Sequence, residues 1–215
     1  MLFFSTEGFC QAKTHDNKSY VQIREIDSSG YFITGELPNK TNRTKFNFLT
    51  RNQFEYSSMQ TQFWTNALII NSADGKKTKL FSTGLVAIYP LYNTVALNKY
   101  DWSYNPAEKG NSSGMSEKYL IFLVKSDELN KDGILDEEDP VSIYFSNKTG
   151  TAMRRITEPS MNVTSWVLSK DCKRIIATIQ TDSNNDKKFS DEDEELYYIN
   201  LDEDMSKIKV FKTVN

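Results

Sequence analysis

The chain has 215 residues, 26% charged and 38% apolar, with a formal net charge of -3. That is the make-up of a folded chain with a full core, and no apolar run approaches the ~18 residues a bilayer span needs. Its basic residues are scattered, without arginines interleaved with aromatics, which argues against nucleic-acid binding, and its two cysteines, Cys10 and Cys172, are too few for a disulfide framework.

The opening Met1-Leu2-Phe3-Phe4 is apolar but is stopped at once by Ser5, Thr6 and Glu7, with no basic residues before it. Residues 1–19 are read as an N-terminal tail or processed segment and residues 20–215 as a single domain. The one histidine, His15, lies in the polar part of that tail and reads as solvated. Ser29-Gly30-Tyr31-Phe32-Ile33-Thr34-Gly35 reads as a strand. The aromatics Phe46, Phe48, Phe54, Tyr56, Phe63 and Trp64 read as core or as a contact between structural units.

Three segments then align without gaps over twelve residues, beginning at Ile70, Phe145 and Ile199. Each is a strand, a turn (Asp74-Gly75, Thr149-Gly150, Glu203-Asp204) and a second strand, the pattern of a β-hairpin. The preceding units match too: Glu117–Val124 corresponds to Asp171–Thr178, and Ile88–Tyr92 to Val163–Ser169. One unit is therefore four short strands. The first two hairpins are 75 residues apart and the last two 54, and the excess falls in the Tyr-, Asn- and Ser-rich insertion 97–114.

Acidic residues concentrate at the join between the second and third strands of two units. Windows 127–139 and 182–204 hold 17 of the 29 acids against three lysines. The first loop places Glu128, Asn130, Asp132, Asp136 and Asp139 at positions 1, 3, 5, 9 and 12, with Ile134 at position 7. The second places Asp182, Asn184, Asp186, Ser190 and Asp193 at the same positions, with Lys188 at position 7. Oxygen side chains at that spacing, with a backbone carbonyl from position 7, are the ligand pattern of a calcium loop, so two Ca2+ sites are expected. Crowding like charges around one point requires a cation to offset their repulsion. Both loops end in Asp rather than the longer Glu, and the second has Lys187 where the first has Gly133. Weak to moderate affinity follows, suited to periplasmic or extracellular calcium.

Units of four antiparallel strands at about 50 residues are those of β-propellers. Trp166-x-x-Ser169-x-Asp171-Cys172-Lys173-Arg174-Ile175 resembles the repeat signature of TolB-like propellers, with Cys172 where that family has glycine. The acidic loops resemble the calcium loops of some bacterial propeller and surface proteins. The resemblance covers residues 115–210 well and 20–114 weakly. It implies an all-β, propeller-like array of three to four blades, closed either by a diverged N-terminal blade or by a second chain in a homodimer.

Evidence for catalysis is thin: the chain has no nucleophile elbow, phosphate loop or His/Cys cluster, and Glu25, Asp27, Glu36 and Glu55 are candidates for a spare carboxylate pair only in that they are present. The expected function is a secreted or envelope scaffold or binding module whose loops calcium stabilises. The Tyr100, Trp102 and Tyr104 loop is the candidate contact for a protein or glycan. The alternative is a glycan- or peptide-processing enzyme with a cleft on the propeller face.

Overall fold

In a computed structural model the chain is described at residues 20, 23–26, 29–39, 45–46, 63–82, 84–90, 119–136, 138–169, 173–189, 192–201 and 204–214. The tail 1–19, the insertion 97–114 with Tyr100, Trp102 and Tyr104, both cysteines, His15, Asp27, Glu55, Phe48, Phe54, Tyr56 and Ser190 lie outside these residues.

The described residues form an all-β structure of three antiparallel four-stranded sheets, each a meander in chain order. The first holds β1 (Arg24–Ile26), β2 (Tyr31–Glu36), β3 (Asn66–Asn71) and β4 (Lys77–Lys79). The second holds β5 (Ala87–Pro90), β6 (Tyr119–Lys125), β7 (Val141–Asn147) and β8 (Met153–Arg155). The third holds β9 (Met161–Leu168), β10 (Arg174–Thr181), β11 (Glu194–Asn200) and β12 (Val210–Lys212). The four-strand unit and the 54-residue step are both present. Leu120 pairs with Ser146 and Ile121 with Phe145, as Arg174 pairs with Asn200 and Ile175 with Ile199.

Two expected hairpins differ in detail. In the first sheet the turn bond from Asn71 N–H to Lys76 O matches the bond from Asn147 N–H to Ala152 O. The repeat there is thus displaced by one residue from the gap-free alignment, because the turn's hydrogen bonds fix its register rather than side-chain similarity. In the third sheet a 3-10 turn, Met205–Lys207, intervenes before β12, and Asp204 caps it by accepting the Ser206 N–H. Sequence 20–36 supplies β1 and β2 of the first sheet rather than a separate unit.

Burial explains the strand compositions. All seven residues of β6 are buried, so Tyr119-Leu120-Ile121-Phe122-Leu123-Val124 is apolar without alternation. Leu120, Phe122 and Val124 join Ile26, Ile33, Trp64, Ala67, Ile69 and Ile88 in a cluster shared with the first sheet. Tyr119, Ile121 and Leu123 lie on the opposite side, in a cluster shared with the third sheet. β10 lies against other sheets on one side only, and its residues alternate between buried and more exposed.

The two sheet contacts are not alike. Ile121, Leu123, Ile143 and Phe145 of the second sheet share one core with Ile175, Ala177, Tyr197 and Ile199 of the third. These are the same four positions shifted by 54, so like faces meet. The first sheet instead meets the second through unlike faces, since Ile33, which corresponds to Ile121, shares its cluster with Leu120, Phe122 and Val124. Backbone bonds between Trp64 and Ile88, both 2.8 Å, join the first two sheets. The Asn162 side chain joins the last two by accepting the Val141 N–H at 2.9 Å.

Candidate metal centres

Each acidic loop leaves the second strand of a sheet and returns as the third, β6 to β7 at 126–140 and β10 to β11 at 182–193. Their backbones take the same path. Positions 4 and 6 are left-handed in both, with φ of 59° at Lys131 and 83° at Gly133, and 60° at Asn185 and 66° at Lys187. Only small local polar contacts offset that conformation for a side chain such as lysine, so its recurrence reflects what the loop requires.

The side chains that induce this path also correspond. At position 1, Glu128 and Asp182 each accept the N–H of position 6, from Gly133 and Lys187. At position 3, the amide oxygens of Asn130 and Asn184 accept the N–H of position 5, at 3.2 and 2.8 Å. At position 5, Asp132 and Asp186 accept the N–H of position 7, from Ile134 and Lys188, at 2.8 and 2.9 Å. In the first loop Asp136 at position 9 accepts from Glu138. Position 8 anchors each loop in the core through Leu135, fully buried, and Phe189. Leu135 N–H also donates to Lys45 O at 2.9 Å, bringing the 45–46 segment of the first sheet's β2–β3 connection onto the loop.

Closure at the end of the loop separates the two. Asp139 is 2% exposed, and its two oxygens accept the N–H groups of Leu129 and Asp136 at 2.9 and 3.0 Å. Burial pushes its carboxyl above the usual range, against the two N–H bonds, which hold it down. The charged form is therefore disfavoured in the folded chain. That cost is present above the folded-state value and disappears as pH falls through it. In the second loop the equivalent bond comes from Glu192, which accepts the Ser183 N–H at 2.9 Å and the Ser183 hydroxyl at 3.0 Å. Asp193, the residue counted to position 12, is exposed. Glu is one methylene longer, so it spans the loop from one residue earlier, and side-chain length is the signal that position counting misses.

A second missed residue is Lys125, which is 2% exposed and donates to the backbone oxygens of Asp136 and Asp139. Its counterpart 54 residues on is Ile179, also fully buried. The first loop thus carries an ammonium at its base that the second lacks. In the second, Asp182 Oδ1 is buried with no hydrogen-bond partner among the described residues, while Oδ2 holds the Lys187 N–H. A buried, unpaired carboxylate oxygen costs stability that a cation would recover. The donor set, carboxylate and amide oxygens with no sulfur or imidazole, fits a hard divalent ion.

Among the described residues no three His, Cys, Asp or Glu side chains converge as a metal-ligating group. Glu128, Asp132, Asp136, Asp139, Asp182, Asp186 and Glu192 each accept a backbone N–H, and the expected donors also include an Asn and a main-chain carbonyl in each loop and Ser190 in the second, none of them a carboxylate. Glu25 and Glu36, the remaining described acids considered for catalysis, belong to β1 and β2, where Glu36 lies 3.8 Å from Lys79. No helix among the described residues is long and apolar enough to cross a membrane. No protein-family model matches the chain, and no curated protein matches its sequence.

Proposed function

We propose that this chain is a calcium-stabilised, propeller-type scaffold or binding module, secreted or held in the cell envelope, with one Ca2+ in each acidic loop. The observation that carries the reading is the correspondence of the two loops: the same left-handed positions and the same side-chain-to-backbone bonds at positions 1, 3 and 5. Glu128, Asn130, Asp132, Asp136 and Asp139 would hold the first ion with the carbonyl of Ile134. Asp182, Asn184, Asp186 and Glu192 would hold the second with the carbonyl of Lys188, and Ser190 and Asp193 remain its further candidates. In this reading the first and second sheets are blades of the TolB-like type, a reading supported by the unlike faces through which they meet. The like-face contact of the second and third departs from that pattern, so the proposal is an array of blade-like sheets rather than a closed ring.

Calcium here fixes long strand connections and carries no chemistry of its own. At free calcium ~100 times Kd, each site adds ~2.7 kcal/mol of stability. Thermal melts in millimolar calcium and in excess EDTA test the reading. A rise in melting temperature with calcium, absent with magnesium at the same concentration, is the expected result, and superimposable melts contradict it.

A further inference from the structure

We infer that the outer face of the third sheet is a self-association surface that receives the same face of a second copy of this chain. Val167, Ile176, Tyr198 and Phe211 are paired in register from β9 to β12 and form one apolar row across all four strands. Val167 is 57% exposed, Phe211 41% and Ile176 36%, and Leu196 on the next row is 53% exposed. Tyr198 and Phe211 stack at 5.1 Å between ring centroids, which stiffens the row.

The repeat gives a measure of what such a face ordinarily does. Ile176 corresponds to Phe122, which is 3% exposed beneath the first sheet. The first sheet has already spent its own complementary face on the second, so a second copy cannot supply it. A second copy can supply its own third sheet. Like-on-like packing is already realised within the chain, where equivalent faces of the second and third sheets form one core.

Charge favours the same arrangement. Along the strands, Arg174 lies one row to one side of the apolar row and Glu194 two rows to the other, and both are exposed. A two-fold axis in the plane of the contact and across the strands reverses strand direction, so it brings Arg174 of one copy to the Glu194 end of the other. Strands of 8, 8, 7 and 3 residues, ~4.8 Å apart and rising ~3.3 Å per residue, present ~400 Å² per copy. The total of ~800 Å² is in the range of a weak, reversible contact rather than an obligate one.

Sedimentation velocity of the full chain over a range of micromolar concentrations tests this. A concentration-dependent dimer is expected, weakened at least ~30-fold by Ile176→Glu, the loss of one central contact. Val167→Lys serves as a second variant, and far-UV circular dichroism identifies any that misfolds. Arg174→Glu and Glu194→Arg should each weaken the dimer ~10-fold or more, and the double reversal should recover it. A wild-type chain that stays monomeric overturns the inference, including the case in which slow hydrogen exchange at 174–178 and 196–198 reveals another part of the chain covering the face. A dimer indifferent to Ile176→Glu and Val167→Lys, or a double reversal that recovers nothing, overturns it equally.

Discussion

Asp139 and Glu192 do the same work from different places: each carboxylate accepts, at 2.9 Å, the N–H of the second residue of its own acidic loop, Leu129 or Ser183. Asp139 does so from position 12 and Glu192 from position 11. The loops are thus closed by equivalent bonds although their sequences are out of step at that point. Asp193, which the 54-residue step equates with Asp139, is left at the surface.

This exchange separates two variants. Glu192→Gln should abolish most of the calcium-dependent stabilisation of the second loop, whereas Asp193→Asn should retain it. Losing one charged ligand from a site that adds ~2.7 kcal/mol at free calcium ~100 times Kd should leave under about 1 kcal/mol at the same calcium concentration. Calcium-dependent melting of the two variants side by side is the check, and equal losses would reject Glu192 as the closing ligand.

Position 6 offers a backbone test in both directions. A Cβ at Gly133 would meet nothing within 4 Å, so Gly133→Ala isolates the cost of φ at 83°. It should destabilise the chain by ~1–2 kcal/mol. Lys187 already bears that cost at 66°. Lys187→Gly should therefore be neutral or stabilise by up to about 1 kcal/mol, and should tighten calcium binding by removing a cation beside the ligands. Urea denaturation and calcium titration measure the two effects separately.

The first sheet is tested through Gly35, where a Cβ would fall 2.1 Å from the Trp64 indole. Trp64 cannot retreat easily, since both its backbone groups are bonded to Ile88. Gly35→Ala should cost about 3 kcal/mol, at the upper end for overpacking, and should change Trp64 emission in the folded state. An unchanged urea midpoint would mean that the indole is not locked where the structure has it.

The ion pair between Lys212 and Glu195 gives the pH dependence of the last strand. The Lys212 hydrogen bond holds the Glu195 carboxyl below 4.5, and Glu195 holds the ammonium above 10.5. A depressed carboxylate contributes above its unfolded value and loses that contribution as pH falls. A raised ammonium contributes below its unfolded value and loses it as pH rises. The pair therefore supports β12 on β11 between those limits. Both groups are exposed, so the contribution is small and salt-sensitive. Lys212→Met should lower amide-exchange protection of 210–212 slightly within that window and leave it unchanged outside it, and molar salt should mimic the variant.

Much of this organisation is legible in the chain itself. The 54-residue step is visible because side chains recur at matching places, from Phe122 and Ile176 to Tyr144 and Tyr198. The unbroken apolar run of β6 and the alternation in β10 both follow from how many faces are covered. What was not legible depends on reach and three-dimensional proximity. Glu192 displaces Asp193 by the length of one methylene. Lys125 becomes the base of a loop only once its strand delivers it beneath Asp136 and Asp139. The like-face contact of the second and third sheets leaves no trace in strand periodicity, because both faces of β6 are buried and apolar.

The account stands most directly on a calorimetric titration of calcium into the ion-free full chain, repeated with Asp182→Ala in the second loop. It predicts saturable binding of two ions per chain, falling to one in the variant, with Asp182 Oδ1 supplying the buried oxygen that the second ion satisfies. Absence of binding heat at millimolar calcium, together with a melting temperature indifferent to EDTA, would contradict it.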